Sequence, residues 1–219
     1  MRRIHAGAFV SLDGVMQAPG GPDEDRTGGF AHGGWVAPYW DETAGESMAP
    51  LFEEPFDLLL GRRTYEIFSA YWPYNDEDPI GRAFNTAAKY VVTSSEEPLI
   101  WANSHAIKDG ADGVARLKAS VGPDLVIQGS SMLYPDLLAR GLIDRLTVMT
   151  FPVLLGKGKT LFGPDGASGA MKLVESSASS TGVLIARYEP AGPVRTGTFE
   201  TKAPSEAELA RRERWRRQG

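Results

Sequence analysis

The chain has 219 residues, 42% of them hydrophobic, and a formal net charge of −5. That size and apolar content suffice for a full core, with one large domain as the default, whereas the negative balance excludes a general nucleic-acid binder, which needs a basic surface against phosphates. With no cysteine, disulfides, thiolate catalysis and cysteine-held zinc are excluded together and a reducing cytoplasm is favoured; no run approaches a membrane span, and MRRIHAGAFVSLDG is too short and broken to read as a secretion signal.

Ile4 to Leu12 is a β-rich run closed by Asp13-Gly14. The glycine- and proline-rich segment Gln17 to Trp35 is too long for an ordinary connection and reads as a functional cover or a disordered insertion. Tyr39 to Glu54 has helical content with acidic residues, and Phe56 to Leu60 (FDLLL) is apolar enough for a strand buried on both faces, ended by Gly61. RRTYEIFSAYW follows at helical spacing and stops at Pro73. The alternation then repeats: strand Lys89 to Thr93, helix Asp112 to Val121, strand Leu125 to Gln128, helix Ser131 to Arg140, strand Arg145 to Phe151. Met171 to Ser177 and Gly182 to Tyr188 read as a closing antiparallel pair. The pattern predicts an α/β fold: a mostly parallel central sheet with an antiparallel C-terminal edge hairpin and helices on both faces.

Residues 1–190 are expected to form the domain, and 191–219 a linker and arginine-rich tail. In the tail, Ser205 and Glu208 form a capping box and Glu208 can pair with Arg212. The tail reads as solvated or as a partner-binding arm.

PVLLGKGKTLFG, Pro152 to Gly163, imitates a phosphate-binding loop. Val153 stands where that motif needs a glycine, and the run into Gly163-Pro164 denies it the following helix, so any nucleotide must be held elsewhere. Three strand ends offer better places: Gly61-Arg62-Arg63-Thr64, Thr93-Ser94-Ser95 and Gln128-Gly129-Ser130-Ser131. Each alone is ordinary turn chemistry; together, with arginines, they fit a dinucleotide phosphate at the carboxyl ends of the strands.

SLDGVMQAP, LLLGRRTYEIF, KYVVTSS and VIQGSSMLYPDLLARGLIDRLTVMTFPVLLGKGKTLF resemble, in order and over about residues 3–189, the dihydrofolate-reductase-like superfamily, specifically the group related to the reductase domain of the riboflavin-biosynthesis protein RibD. The resemblance implies NADPH binding and hydride transfer to a pterin-like or aminopyrimidine substrate of the phosphoribosylaminouracil type. It implies cofactor contacts at Gly61, Arg62, Arg63 and Thr64, at Thr93, Ser94 and Ser95, and at Gln128, Gly129, Ser130, Ser131 and Met132, with Arg62 beside Ser94 favouring NADPH over NADH. It also implies a homodimer. Two departures stand out: the family's paired glycines are Gln128-Gly129 here, and no deaminase segment precedes the reductase-like part of the sequence, which leaves the substrate open.

Hydride transfer also needs a proton. The resemblance implies an acid on the first helix after the covering loop, where PYWDETAGES offers Asp41, Glu42 and Glu46; Asp41, beside Tyr39 and Trp40, is the expected source, with Asp13 at the start of the covering loop the second catalytic candidate. Gln17, Trp35, Tyr39 and Trp40 are the expected contacts to a small heterocyclic substrate. Bland readings stand beside these: acidic residues crowd helix starts, Asp-Gly is a common turn, and Trp35 would equally anchor its loop in the core. His5, His32 and His105 show no metal-ligand spacing, so no metal is expected. A non-catalytic nucleotide-binding or regulatory module on the same fold is the alternative.

Overall fold

The computed structural model describes residues 1–53, 55–163 and 166–218; Glu54 of the first helical stretch and Pro164 of the glycine-lysine connector lie outside them. The strands are β1 (Ile4–Ser11), β2 (Phe56–Gly61), β3 (Lys89–Val92), β4 (Ser104–Ile107), β5 (Asp124–Gln128), β6 (Arg145–Phe151), β7 (Met171–Ala178) and β8 (Leu184–Pro190). The helices are α1 (Glu42–Met48), α2 (Arg62–Ser69), α3 (Pro79–Thr86), α4 (Gly110–Ala119), α5 (Tyr134–Ala139) and α6 (Glu206–Arg216). One sheet holds all eight strands in the order β4-β3-β2-β5-β1-β6-β8-β7. The first six run parallel, and β8 and β7 close the far edge antiparallel.

Side-chain alternation divides the core. On one face Ile4, Ala6, Ala8 and Val10 of β1 pack with Leu125 and Ile127 of β5 against Val114 of α4 and Tyr134 and Leu137 of α5. On the other, Leu58, Leu60 and Val126 pack against Tyr65 of α2 and Phe84 of α3, and further along Met149, Phe151 and Ile185 cover Ala44 and Met48 of α1. The first five residues of β2, four of them apolar, are buried, as FDLLL predicts.

Two elements lie outside the sequence expectation. α3 is started by Asp78, whose carboxylate accepts the Ile80 amide at 2.7 Å, with Pro79 preset for the first turn. β4 is short and half-exposed, so SHAI carries no apolar run to announce it. α5 begins at Tyr134 rather than Ser131, because Ser130 is left-handed (φ 67°) and Pro135 sets the helix start.

The amino ends of the strands are tied by buried charges: Arg2 pairs with Asp57, and Lys118 with Asp144 while donating to the Leu142 carbonyl at 2.6 Å. Lys89, fully buried, donates to the carbonyls of Phe84 (3.1 Å), Asn85 (3.0 Å) and Ala87 (2.9 Å), completing the end of α3. The charges at this end hold the fold together and leave the opposite, carboxyl end of the sheet to the loops. Past Pro190 the described residues form no further strand; in α6 the Ser205 hydroxyl accepts the Glu208 amide at 3.3 Å and Arg212 Nε reaches Glu208 at 2.8 Å, the cap and the ion pair that the sequence predicts.

Candidate functional site

The chain leaves β2 toward β3 on one side and leaves β5 toward β6 on the other, so neighbouring β2 and β5 diverge at their carboxyl ends. Such a switch point opens a crevice in an open α/β sheet. Here the crevice is a groove of about 1270 Å³. Its two lips are stitched by a hydrogen bond, the Gly61 amide donating to Ser130 Oγ at 2.8 Å.

All three strand-end loops line this one groove: Gly61, Arg62, Arg63 and Thr64 after β2; Thr93, Ser94 and Ser95 after β3; Gln128, Gly129, Ser130, Ser131 and Met132 after β5. Gly61 has no side chain to cap α2, so the first amides of that helix are left without a side-chain acceptor. Gly129 is held at φ 77°, and a Cβ there would sit 3.2 Å from Thr64 Cγ2, so both conformation and space require glycine.

The rim cations are held by carboxylates of the protein. Arg62 Nε contacts Glu66 at 2.6 Å, and its Nη atoms reach the Glu97 carbonyl at 2.9 Å and carboxylate at 2.8 Å. Arg63 reaches across to the covering loop, donating to Thr27 Oγ1 at 2.7 Å and Asp25 at 3.3 Å. Thr93 and Ser95 shape the β3 loop, their hydroxyls accepting the amides of Ser95 (3.0 Å) and Glu97 (3.2 Å).

The covering loop is ordered and pinned. Gln17 is buried, with its Nε2 on the carbonyls of Asp25 (3.0 Å) and Thr27 (2.9 Å) and its Oε1 accepting the Lys159 amide at 3.1 Å. It lines the groove with its carboxamide fully engaged. Asp25 pairs with Lys159; burial pushes its carboxyl up, but hydrogen bonds from Lys159 and Thr27 prevail and hold it at about 2. Glu24 behaves oppositely: burial raises its carboxyl above the ordinary range although Gly20 (2.6 Å) and Gly21 (3.2 Å) amides donate to it.

Four expected residues sit elsewhere than the groove lining. Asp41 caps α1, accepting the Ala44 amide at 2.9 Å and the Ser180 hydroxyl at 2.8 Å, and these bonds hold its carboxyl down to about 2. A carboxylate so placed caps a helix and is ionised at neutral pH, unlike a proton donor. Asp13 accepts the Ser11 hydroxyl at 2.5 Å and the Gly156 amide at 2.7 Å, fastening the β1 turn to the glycine-lysine connector; the Ser11 bond lowers its carboxyl. Trp35 is buried edge-on against Phe151, its Nε1 donating to the Gln17 carbonyl at 2.8 Å, and so anchors the loop. Tyr39 packs into the same cluster, its carbonyl accepting from Thr181 Oγ1 at 2.6 Å. Trp40 does line the groove, 43% exposed and edge-on to Phe9 at 5.5 Å.

The sequence reading passed over Lys159, Lys108, Glu24 and Asp25, which also line the groove. Lys159 belongs to the GKGKT stretch. That stretch is a connector without a P-loop, as expected, yet it delivers one lysine to the site. Charged residues on glycine-rich loops give no periodic signal; their length alone marked the loop.

The sequence profile of the RibD C-terminal domain family matches residues 2–185. The chain belongs to that family. A relative, the uncharacterized protein YyaP of Bacillus subtilis (strain 168), is 27% identical over 140 residues, covering 60% of this chain and 72% of its own. The fold is similar to a pyrimidine reductase-like protein from Corynebacterium diphtheriae (TM-score 0.54, 16% identity, 87% of this chain and 92% of that one). It is also similar to dihydrofolate reductase from Enterococcus faecalis complexed with NADP(H) and RAB-propyl (TM-score 0.54, 15% identity, 86% and 96%). The RibD C-terminal domain is thus a reductase-type fold here, and among the described residues no helix is long and apolar enough to cross a membrane and no acidic, histidine or cysteine cluster suits a metal ion.

Proposed function

We propose that the protein is an NADPH-dependent reductase of the cytoplasm that delivers hydride to a small planar heterocycle, pterin-like or aminopyrimidine. The observation that carries this reading is the convergence of all three strand-end loops on one groove beside the uncapped start of α2. The residues suit a dinucleotide. The α2 amides and the tight Gly129 turn accept a pyrophosphate close to backbone, while the pairs of Arg62 with the exposed carboxylates of Glu66 and Glu97 are weak enough to exchange for a phosphate on the adenosine ribose. When bound, the nicotinamide supplies hydride to the acceptor carbon.

The chain's own residues supply the rest. Trp40, Phe9, Met48 and Phe52 wall the apolar end of the groove, where a flat ring is held dry. The proton is assigned to Glu24, a groove carboxyl whose affinity for a proton is raised by burial. Phosphate exchange on Arg62 is tested by titrating NADPH and NADH against wild type and Arg62→Gln. The account expects wild type to prefer NADPH and the variant to lose most of that preference; equal affinities in wild type contradict it.

A second reading, a nucleotide-binding module without turnover, is favoured by the internal pairing of the groove's cations; NADPH binding without oxidation in the presence of diverse heterocycles would select it. The reductase is further proposed to pair as a homodimer: every residue of the β7 edge is exposed, Leu173 and Val174 among them, which leaves an open strand edge for a second copy.

A further inference from the structure

Past Phe52 the groove continues between α2 and α3, on a side to which the reductase reading assigns nothing. On α2, Arg63 and Thr64 are followed one turn later by Ile67 and Phe68, so the helix face that lines the groove changes from polar to apolar. On α3, Ile80, Ala83 and Phe84 recur at three and four positions and turn an apolar stripe to the same space. Phe84, 2% exposed, is the floor. Phe68 stacks on it at 5.7 Å, and Trp72 and Phe52 meet it edge-on at 5.2 and 5.5 Å.

Two features set this pocket apart from ordinary core. Phe52, Phe68 and Trp72 are only partly buried and Ile80 at the lip is 40% exposed, so a concave aromatic surface is left open, as ligand sites are. Its charge is also one-sided. Among the described residues the cations lining the groove are Arg62, Arg63, Lys108 and Lys159. Arg62 and Lys108 hold Glu97 and Glu96 beyond β3, and Arg63 and Lys159 hold Asp25 of the covering loop. The ionisable residue that comes with the aromatic pocket is an acid, Glu53, next to Phe52. A phosphate seated here would exchange water for aromatic walls and a carboxyl group, with no cation to pair it.

Resting on the reductase reading, we propose that the acceptor ring carries an uncharged apolar substituent, a phenyl or branched alkyl group, that fills this pocket, and that a ribosyl phosphate in its place is rejected. Met48 and Phe52 line the groove between the pocket and Phe9 and Trp40, where that reading holds the ring, so ring and substituent share one apolar channel. The groove's volume of about 1270 Å³ exceeds the roughly 300–1,000 Å³ of most small-molecule sites, which leaves room for the substituent beside a dinucleotide. Burying one aryl group discriminates at least as strongly as burying a few methylenes.

The test is calorimetric titration of the full chain, with and without saturating NADP⁺. The probes are 6-aminouracil, 6-(benzylamino)uracil and 6-(ribosylamino)uracil 5′-phosphate, and pterin beside 6-phenylpterin. In at least one series the aryl compound is expected to bind about tenfold or more tightly than the bare ring, and the phosphate to bind more weakly than the benzyl compound. Ile80→Arg places a cation at the exposed lip and keeps the Ile80 backbone amide on Asp78. It is expected to melt near the wild-type temperature, to weaken the aryl compound and to tighten the phosphate; Ile80→Ser is expected to give the aryl loss without the phosphate gain. No gain from the aryl group in either series, tighter binding of the phosphate by wild type, or an unchanged ranking in Ile80→Arg would each overturn the proposal. An aryl preference in a chain that binds no NADP⁺ would uphold the pocket's selectivity and sink the reductase reading instead.

Discussion

Two glycines on the lips of the groove should respond oppositely to alanine. Gly129 has φ 77° and its added Cβ would lie 3.2 Å from Thr64 Cγ2; Gly61 has φ −79°, and its Cβ would meet Ser130 only at 3.5 Å, an ordinary contact. Left-handed backbone costs an alanine about 1–2 kcal/mol, and the close methyl contact adds to it, so Gly129→Ala is expected to lose about 2 kcal/mol of stability. For a chain of this size that lowers Tm by about 4–8 °C. On the proposed binding mode the methyl would also stand where a phosphate approaches the backbone, so NADPH affinity is expected to fall about tenfold or more, or at least 1.4 kcal/mol. Gly61→Ala is expected to leave stability within about 0.5 kcal/mol of wild type or slightly raised, because alanine restricts the unfolded chain. Thermal melting with and without NADPH measures both quantities. If Gly129→Ala melted like wild type and kept its NADPH shift, the argument that glycine is required there for conformation and for ligand approach would be refuted.

Asp41→Asn keeps a good helix cap and is expected to retain NADPH oxidation at near the wild-type rate; a loss of a hundredfold or more would return Asp41 to the chemistry. Glu24→Gln is expected to lower turnover about tenfold or more with NADPH binding kept, and the wild-type rate is expected to fall as pH rises through the elevated Glu24 value; a flat wild-type profile argues against Glu24. Lys89→Met leaves three carbonyls at the end of α3 without their donor and is expected to cost about 2–3 kcal/mol in urea unfolding. Burial holds Lys89 down to about 8 from 10.5, so between those values the unfolded chain binds more protons and the Lys89 contribution to stability rises with pH, a slope that Lys89→Met removes. Asp25, lowered from 3.8 to about 2, stabilises the fold above the first value, and that contribution is lost as pH falls through the second.

The sheet was legible because its strands carry the signals that packing imposes: FDLLL is apolar but for Asp57 because β2 is covered on both faces, and Arg145 to Phe151 matches β6 end to end. β4 was illegible because a half-exposed edge strand needs no apolar run. The groove's rim was legible because strand-end glycines and hydroxyls are tied to backbone conformation, as at Gly129. Its acid was not. Asp41 carries the right residue type beside the right aromatics, but its carboxylate is spent on the α1 amides and on Ser180, a partner 139 positions away that no local pattern reveals. Trp35 read equally as a substrate contact and as a loop anchor, and its burial against Phe151, a contact between distant segments, makes it the anchor.

The most direct test of the central claim is a crystal structure with NADP⁺. The account predicts the pyrophosphate within hydrogen-bond distance of the Gly129–Ser131 turn and the first amides of α2, with the nicotinamide toward Gly7 and Phe9. A dinucleotide seated away from these loops, or an empty groove at millimolar NADP⁺, would contradict it.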